Sequence, residues 1–181
     1  MNYFKKLRIR IGAFLLKQKL KKQKRTPIIC NINQAKTIGL IFNCTIDADR
    51  QTVRDLESFF RQSNKTVEVL GYSNVKKNGD PLIGDANHHY IYCNDFNWFF
   101  KPKNELIDNF ISNQYDILID LYQDEEFPVE YMLKLSRAKF KVGCAHLDKG
   151  LHDLMIDVSK KKGDSSYLSE HLKHYLSILN N

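Results

Sequence analysis

Tyr115-Asp-Ile-Leu-Ile-Asp-Leu121 places a short apolar run, Ile117 to Ile119, between two aspartates. A strand that helices cover on both faces has this pattern, because neither face meets water. The segment from Pro128 to Ala138 then predicts a helix, and Phe140-Lys-Val-Gly143 predicts a second strand. Strand, helix and strand within about thirty residues form a βαβ unit, which is right-handed in nearly all proteins.

The rest of the chain repeats this alternation of strands and helices. Further strands are predicted at 37–42, 66–70, 89–93 and 151–158, and further helices at 50–62, 104–113 and 167–179. Asp47 or Asp49 is expected to cap the first of these helices and Asn104 the second. Asn78-Gly79-Asp80-Pro81 predicts a turn. We therefore predict a three-layer α/β sandwich with a mostly parallel, Rossmann-like sheet.

Length and composition predict one globular domain, residues 27–181, preceded by a basic helical arm, residues 1–26. A chain of 181 residues with 43% hydrophobic and 27% charged residues has ordinary globular composition. Its four cysteines are widely spaced and form no CxxC pair, and no secretory leader is expected. We therefore predict a cytoplasmic protein with reduced thiols.

The positive charge of the chain is concentrated in the arm. Residues 1–25 hold no acidic residue, and the remaining 18 basic against 21 acidic residues leave the body at −3. We expect an anionic partner to bind the arm rather than the body. The basic residues of the arm are Lys5, Lys6, Arg8, Arg10, Lys17, Lys19, Lys21, Lys22, Lys24 and Arg25.

Apolar residues recur at helical spacing along the arm, and three interpretations of them are open. The stripe consists of Phe4, Leu7, Ile11, Phe14 and Leu15. It could pack on the domain, lie on the anionic inner face of a membrane, or accompany binding to ribosomal RNA. The longest apolar run, Ile11 to Leu16, is too short to span a bilayer. Nothing in the arm reads bases, so no sequence-specific DNA binding is expected.

Parallel strands place a ligand crevice at their carboxyl ends, and four side chains are candidates for it: Asp95, Trp98, Asp120 and Asp124. Two carboxylates there could serve a metal or general acid–base chemistry. The acidic run Asp124-Glu-Glu126 equally suits the first turn of a helix that begins near Pro128. The sequence therefore predicts no catalytic residue.

No cofactor and no metal are predicted. The chain has neither GxGxxG nor GxxxxGK[ST], the glycine-rich loops that cradle phosphates. Cys144-Ala-His146-Leu-Asp148 is the only local set that mixes soft and hard ligands, and no second such cluster completes a zinc site.

Aromatic residues crowd the segment Asp95-Phe-Asn-Trp-Phe-Phe-Lys-Pro-Lys103. Exposed rings beside lysines are typical of a recognition surface, so a protein partner could bind here. Alternatively, the segment folds back and caps the edge of the sheet. The four rings are those of Phe96, Trp98, Phe99 and Phe100.

Four segments carry a resemblance to known proteins: Asp95-Phe-Asn-Trp98 with Lys101, Tyr115–Leu121, Ser136-Arg-Ala-Lys-Phe-Lys-Val-Gly143 and Asp153-Leu-Met-Ile156. Over nearly its whole length the chain resembles a small family from Bacteroidota, a domain of unknown function. That resemblance implies no activity.

Residues 115–143 are also similar to the N-terminal domain of heptosyltransferase-like glycosyltransferases. This domain mainly holds the acceptor, so the similarity implies a half-enzyme scaffold and transfers no catalytic residue.

From these patterns we predict a non-catalytic binding module that its basic helix tethers to an anionic assembly, the ribosome or the inner membrane face. The alternative is an enzyme or half-enzyme of sugar or nucleotide metabolism.

Overall fold

The computed structural model describes residues 3–76, 82–147 and 150–179. Its strands are β1 (Thr37–Asn43), β2 (Thr66–Ser73), β3 (His88–Tyr92), β4 (Ile117–Asp120), β5 (Phe140–Cys144) and β6 (Leu154–Ile156). Its α-helices are α1 (Tyr3–Leu20), α2 (Asp47–Gln62), α3 (Glu105–Ser112), α4 (Phe127–Leu135) and α5 (Ser165–Ile178). The predicted turn at 78–81 lies outside the described residues.

The six strands form one sheet in the order β3-β2-β1-β4-β5-β6, and every neighbouring pair is parallel. The deciding stretch supplies β4, which lies between β1 and β5 at the centre of the sheet. The predicted α/β sandwich with a parallel sheet and an N-terminal helix is confirmed.

Two apolar cores cover the two faces of this sheet. Helices α2 and α5 pack against each other on one face, and α3 and α4 pack together on the other, where α1 contacts α4. Within β4, Ile117 and Ile119 point into the first core and Leu118 into the second. Alternate side chains of a strand point to opposite faces, so a strand between two cores must be apolar throughout.

The two aspartates of the deciding stretch are both held by hydrogen bonds. At the amino end of β4, Asp116 accepts from the backbone N–H groups of Lys36 and Thr37, and from the ammonium of Lys139 at 2.7 Å. Burial alone would raise the pKa of Asp116, but these bonds lower it to about 2. Asp116 therefore ties the starts of β1, β4 and β5 together.

Several local predictions differ from the structure. Residue Ile46 is the N-cap of α2 and makes no side-chain cap bond, so neither Asp47 nor Asp49 caps that helix. Helix α4 ends at Leu135, three residues earlier than predicted, because Ser136 takes an extended conformation. The predicted cap of α3 is confirmed: the Asn104 side chain accepts from the backbone N–H of Leu106.

Candidate functional site

The strand order reverses direction between β1 and β4, so their carboxyl ends are where a parallel sheet opens a crevice. Asn43 ends β1 and Asp120 ends β4. Both side chains accept hydrogen bonds from residues that lie two positions further along the chain. Asn43 accepts hydrogen bonds from the backbone and hydroxyl of Thr45, and Asp120 accepts one from the backbone N–H of Tyr122.

The second carboxylate oxygen of Asp120 lies 3.0 Å from Nε2 of His152, and both side chains are fully buried. Gly143 makes room for this ring: a Cβ there would lie 2.3 Å from Nε2 of His152. Nδ1 of His152 has no hydrogen-bond partner among the described residues. Sequence reasoning missed this pair, because His152 lies 32 residues from Asp120 in the sequence and belongs to no recognisable motif.

A cavity of about 260 Å³ opens next to Asp120. Its carboxylate groups are Asp120, Asp124, Glu125, Glu126 and Glu130. Its apolar wall is formed mainly by Phe100, Phe127, Pro128, Val129, Leu133, Leu147 and Leu151, and α1 contributes Lys5 and Ile9. Among the described residues that line it, phosphate groups would meet five carboxylates and one lysine, so these electrostatics disfavour a nucleotide.

The structure brings together only two of the four predicted crevice residues. Asp120 and Asp124 line the cavity, whereas Asp95 and Trp98 do not. The carboxylate of Asp95 accepts a hydrogen bond from the backbone N–H of Tyr92 at 2.8 Å and stabilises a 3₁₀ turn. Trp98 lies on the surface beside α1.

At the end of β5, Cys144 is buried and His146 is half-buried, whereas Asp148 of the predicted ligand set lies outside the described residues. Sγ of Cys144 lies 4.0 Å from Nε2 of His146, which hydrogen-bonds the backbone oxygen of Gln123. Burial and the charge of Asp120 raise the pKa of the Cys144 thiol to about 12, which makes it a poor nucleophile. Among residues 3–76, 82–147 and 150–179, no three potential ligands converge on a metal site.

The aromatic segment divides into two buried and two exposed rings. Phe96 and Phe100 belong to the core on the α3–α4 side, whereas Trp98 and Phe99 remain substantially exposed. Nε of Arg8 on α1 donates to the backbone oxygen of Trp98 at 2.9 Å. The guanidinium of Arg8 also lies 4.5 Å from the ring centre of Phe100. The segment therefore folds back on the domain and forms part of the surface that holds α1.

One side of α1, which we call the docked face, packs on the domain through Ile9, Gly12, Leu16 and Leu20. Leu16 is only 2% exposed. At Gly12 a Cβ would lie 2.8 Å from the Phe127 ring and 2.9 Å from the backbone oxygen of Phe99. Glycine therefore permits the close approach of helix and domain.

The chain after α1 is fastened to the start of β5. The guanidinium of Arg25 donates to the backbone oxygens of Ala138 and Lys139 and forms an ion pair with Asp153. Beneath it lies Lys141, which is 4% exposed. Burial, together with the positive charge of Arg25, lowers the pKa of Lys141 to about 7.

The opposite side of α1, which we call the outer face, carries Tyr3, Phe4, Leu7, Phe14 and Leu15, all exposed. Four of the five residues of the predicted apolar stripe thus lie on the outer face, and the domain contact uses a different set of residues. Arg8 and Arg25 are half-buried in domain contacts. The eight other basic residues of the arm remain exposed: Lys5, Lys6, Arg10, Lys17, Lys19, Lys21, Lys22 and Lys24.

Across the described residues, no helix combines the length and the apolar content needed to cross a bilayer. Neither a search of curated proteins nor a search of solved structures finds a match to the chain. A family model described as a family of unknown function (DUF6913) matches residues 9–179, nearly the whole chain. The chain therefore belongs to this family of unknown function.

Proposed function

We propose that this protein is a non-catalytic α/β binding module that its basic arm holds on an anionic assembly. One observation carries the proposal: eight of the ten cations of the arm stay exposed although the arm is docked on the domain. A helix that used its charges to bind its own domain would direct them at the acidic groups of the body. Lys5 lines the cavity beside the carboxylates, and of the ten cations of the arm only Arg25 forms an ion pair with a described acidic residue.

Docking gives this charge a fixed direction. Lys6, Arg10 and Lys17 recur at intervals of four and seven residues, so they form a row along one side of α1. We call them the basic row. A row on a helix that is packed against a folded domain presents its charges without the entropy cost of ordering a free tail. Candidate partners are ribosomal RNA and the inner face of a membrane, and the proposed location is cytoplasmic or peripheral at that face.

A second candidate is an enzyme or half-enzyme of sugar or nucleotide metabolism, in line with the resemblance of residues 115–143 to the N-terminal domain of heptosyltransferase-like glycosyltransferases. The cavity at the strand carboxyl ends favours it, since such crevices hold ligands in open parallel sheets. The carboxylates around this cavity weigh against it, because a sugar nucleotide carries phosphates. We therefore prefer the anionic-surface role.

The test compares two variants with the same charge change. In the arm variant Lys17, Lys21, Lys22 and Lys24 become Gln, and in the control Lys36, Lys103, Lys160 and Lys162 become Gln. All eight lysines are exposed. Binding of the full chain to ribosomal RNA and to anionic vesicles is measured against salt concentration.

We expect the arm variant to lose affinity and the slope of log K against log salt to fall by about 3, whereas the control changes little. Equal behaviour of the two variants, or no binding of the wild type to either anion at low salt, would refute the proposal.

A further inference from the structure

The outer face of α1 exposes more apolar surface than is usual on the solvent-facing side of a helix. Tyr3 is 76% exposed, Phe4 67% and Phe14 61%, and Leu7 and Leu15 are also exposed. At about 100° per residue these positions share one side of the helix, opposite the docked face. The domain cannot cover these side chains, because the docked face already occupies the surface of the domain that contacts α1.

Two further exposed rings lie next to this face. Trp98 and Phe99 stack edge to face with their ring centres 5.0 Å apart. Arg8, one helical turn from Phe4, contacts the backbone of Trp98 and lies 5.8 Å from the centre of its ring. The aromatic segment therefore extends the apolar surface of α1 beyond the helix itself. Exposed apolar side chains gathered on one part of a protein surface mark an interaction site.

Charge borders the apolar surface on one side. The basic row, Lys6, Arg10 and Lys17, lies between the outer face and the docked face, and all three side chains are exposed. A partner that contacts the outer face must therefore offer apolar groups with negative charge immediately beside them.

We infer that the outer face, with Trp98 and Phe99, lies on an anionic lipid surface, and this inference rests on the function proposed above. RNA could stack bases on the rings, but it would leave the aliphatic side chains of Leu7 and Leu15 in water. A lipid interface accepts aromatic and aliphatic side chains at the level of the headgroups, and its phosphates pair with the flanking lysines and arginine. The helix then lies parallel to the membrane and holds the α/β domain over it through the docked face.

Trp98 is the only tryptophan in the chain, so its fluorescence reports the environment of this surface directly. The full chain is mixed with neutral phosphatidylcholine vesicles and with vesicles that contain about 30 mol% phosphatidylglycerol. We expect flotation and a blue shift of Trp98 emission with the anionic vesicles only.

Three serine substitutions in one chain, Phe4→Ser, Phe14→Ser and Leu15→Ser, form the outer-face variant. It should bind anionic vesicles at least about tenfold more weakly and should bind RNA within about twofold of the wild type. The control, Ile83→Ser with Ile178→Ser, removes exposed apolar side chains elsewhere and should leave vesicle binding unchanged.

The outcomes separate this inference from the proposal on which it rests. RNA binding without vesicle binding refutes the lipid inference but not the proposed function, because the partner is still anionic. Vesicle binding that the outer-face variant retains in full means electrostatic adsorption alone and also overturns the inference. Binding to neither RNA nor vesicles removes both.

Discussion

The two sides of α1 have similar apolar composition and opposite roles. The docked face buries Leu16 against the domain, whereas the adjacent Leu15 on the outer face is 42% exposed. Helical periodicity identifies which residues share a face. It does not identify which face meets the domain, because that depends on the shape of a surface built by residues about ninety to one hundred and twenty positions away. Gly12, the residue with no side chain, marks the contact side here.

The adjacent leucines provide the sharpest test of this difference. Leu16→Ala should reduce the free energy of opening of the arm by about 2 to 5 kcal/mol, because it removes a fully buried side chain and leaves a cavity. Leu15→Ala, the matched control, should change it by less than about 0.5 kcal/mol. Native-state hydrogen exchange of the α1 amides measures both values. Equal effects would mean that burial of Leu16 does not hold the arm on the domain, and a larger effect of Leu15→Ala would mean that the docked face is assigned to the wrong side.

Gly12→Leu should weaken docking by about 1 to 3 kcal/mol, since its side chain must displace the Phe127 ring and the Phe99 backbone. The higher helix propensity of leucine offsets about 1 kcal/mol of this loss. The expected signs are faster tryptic cleavage in residues 17–25 and a change in Trp98 emission.

Ala13→Leu is the control for Gly12→Leu, because Ala13 is the exposed neighbour. It should preserve protection from trypsin. If Gly12→Leu is as well protected from trypsin as Ala13→Leu, the close approach at Gly12 does not hold the arm on the domain.

The smallest expected effect concerns Lys141, beneath the end of the arm. Its pKa in the folded protein, about 7, lies below its ordinary value of 10.5. Between these values the unfolded chain binds more protons, so stability rises with pH; below about 7 the cost of burying the charged amine is fully present.

Lys141→Met should therefore stabilise the protein by about 1 to 2 kcal/mol at pH 6, and the gain should shrink as pH rises from 7 to 10.5. Urea unfolding at pH 6 and pH 9 measures the difference. If the gain in stability is the same at pH 6 and pH 9, burial of the charged Lys141 amine does not destabilise the protein at pH 6.

Most of the fold was predictable because its signals are local. All six strands overlap predicted strands, and Asn104 caps α3 as its position indicated. The errors concern the ends of elements: β6 has three residues, whereas eight were predicted at 151–158. Helix α2 begins at Asp47 without a side-chain cap, although two aspartates with suitable chemistry lie in its first turn. Capping depends on the backbone angles of single residues, which the packing of neighbouring elements decides.

The candidate site was predictable only in part. The carboxyl end of β4 was identified from Asp120, but its partner His152 was not, because the pairing depends on the tertiary packing of the His152 ring against Gly143. The same limit applies to the aromatic segment: its composition indicated a special role, and only packing separated the buried Phe96 and Phe100 from the exposed Trp98 and Phe99.

By itself, the sequence determined the parallel α/β sheet, the basic arm and the location of its charge, because strand burial, helix periodicity and charge are properties of short segments. The tertiary structure decided how the arm is used. Arg8, Gly12 and Leu16 contact the domain in the docked arm, whereas the outer face and eight cations remain exposed to solvent. A helix with two apolar faces can bury only one against a single domain, and shape complementarity at Gly12 selects which one.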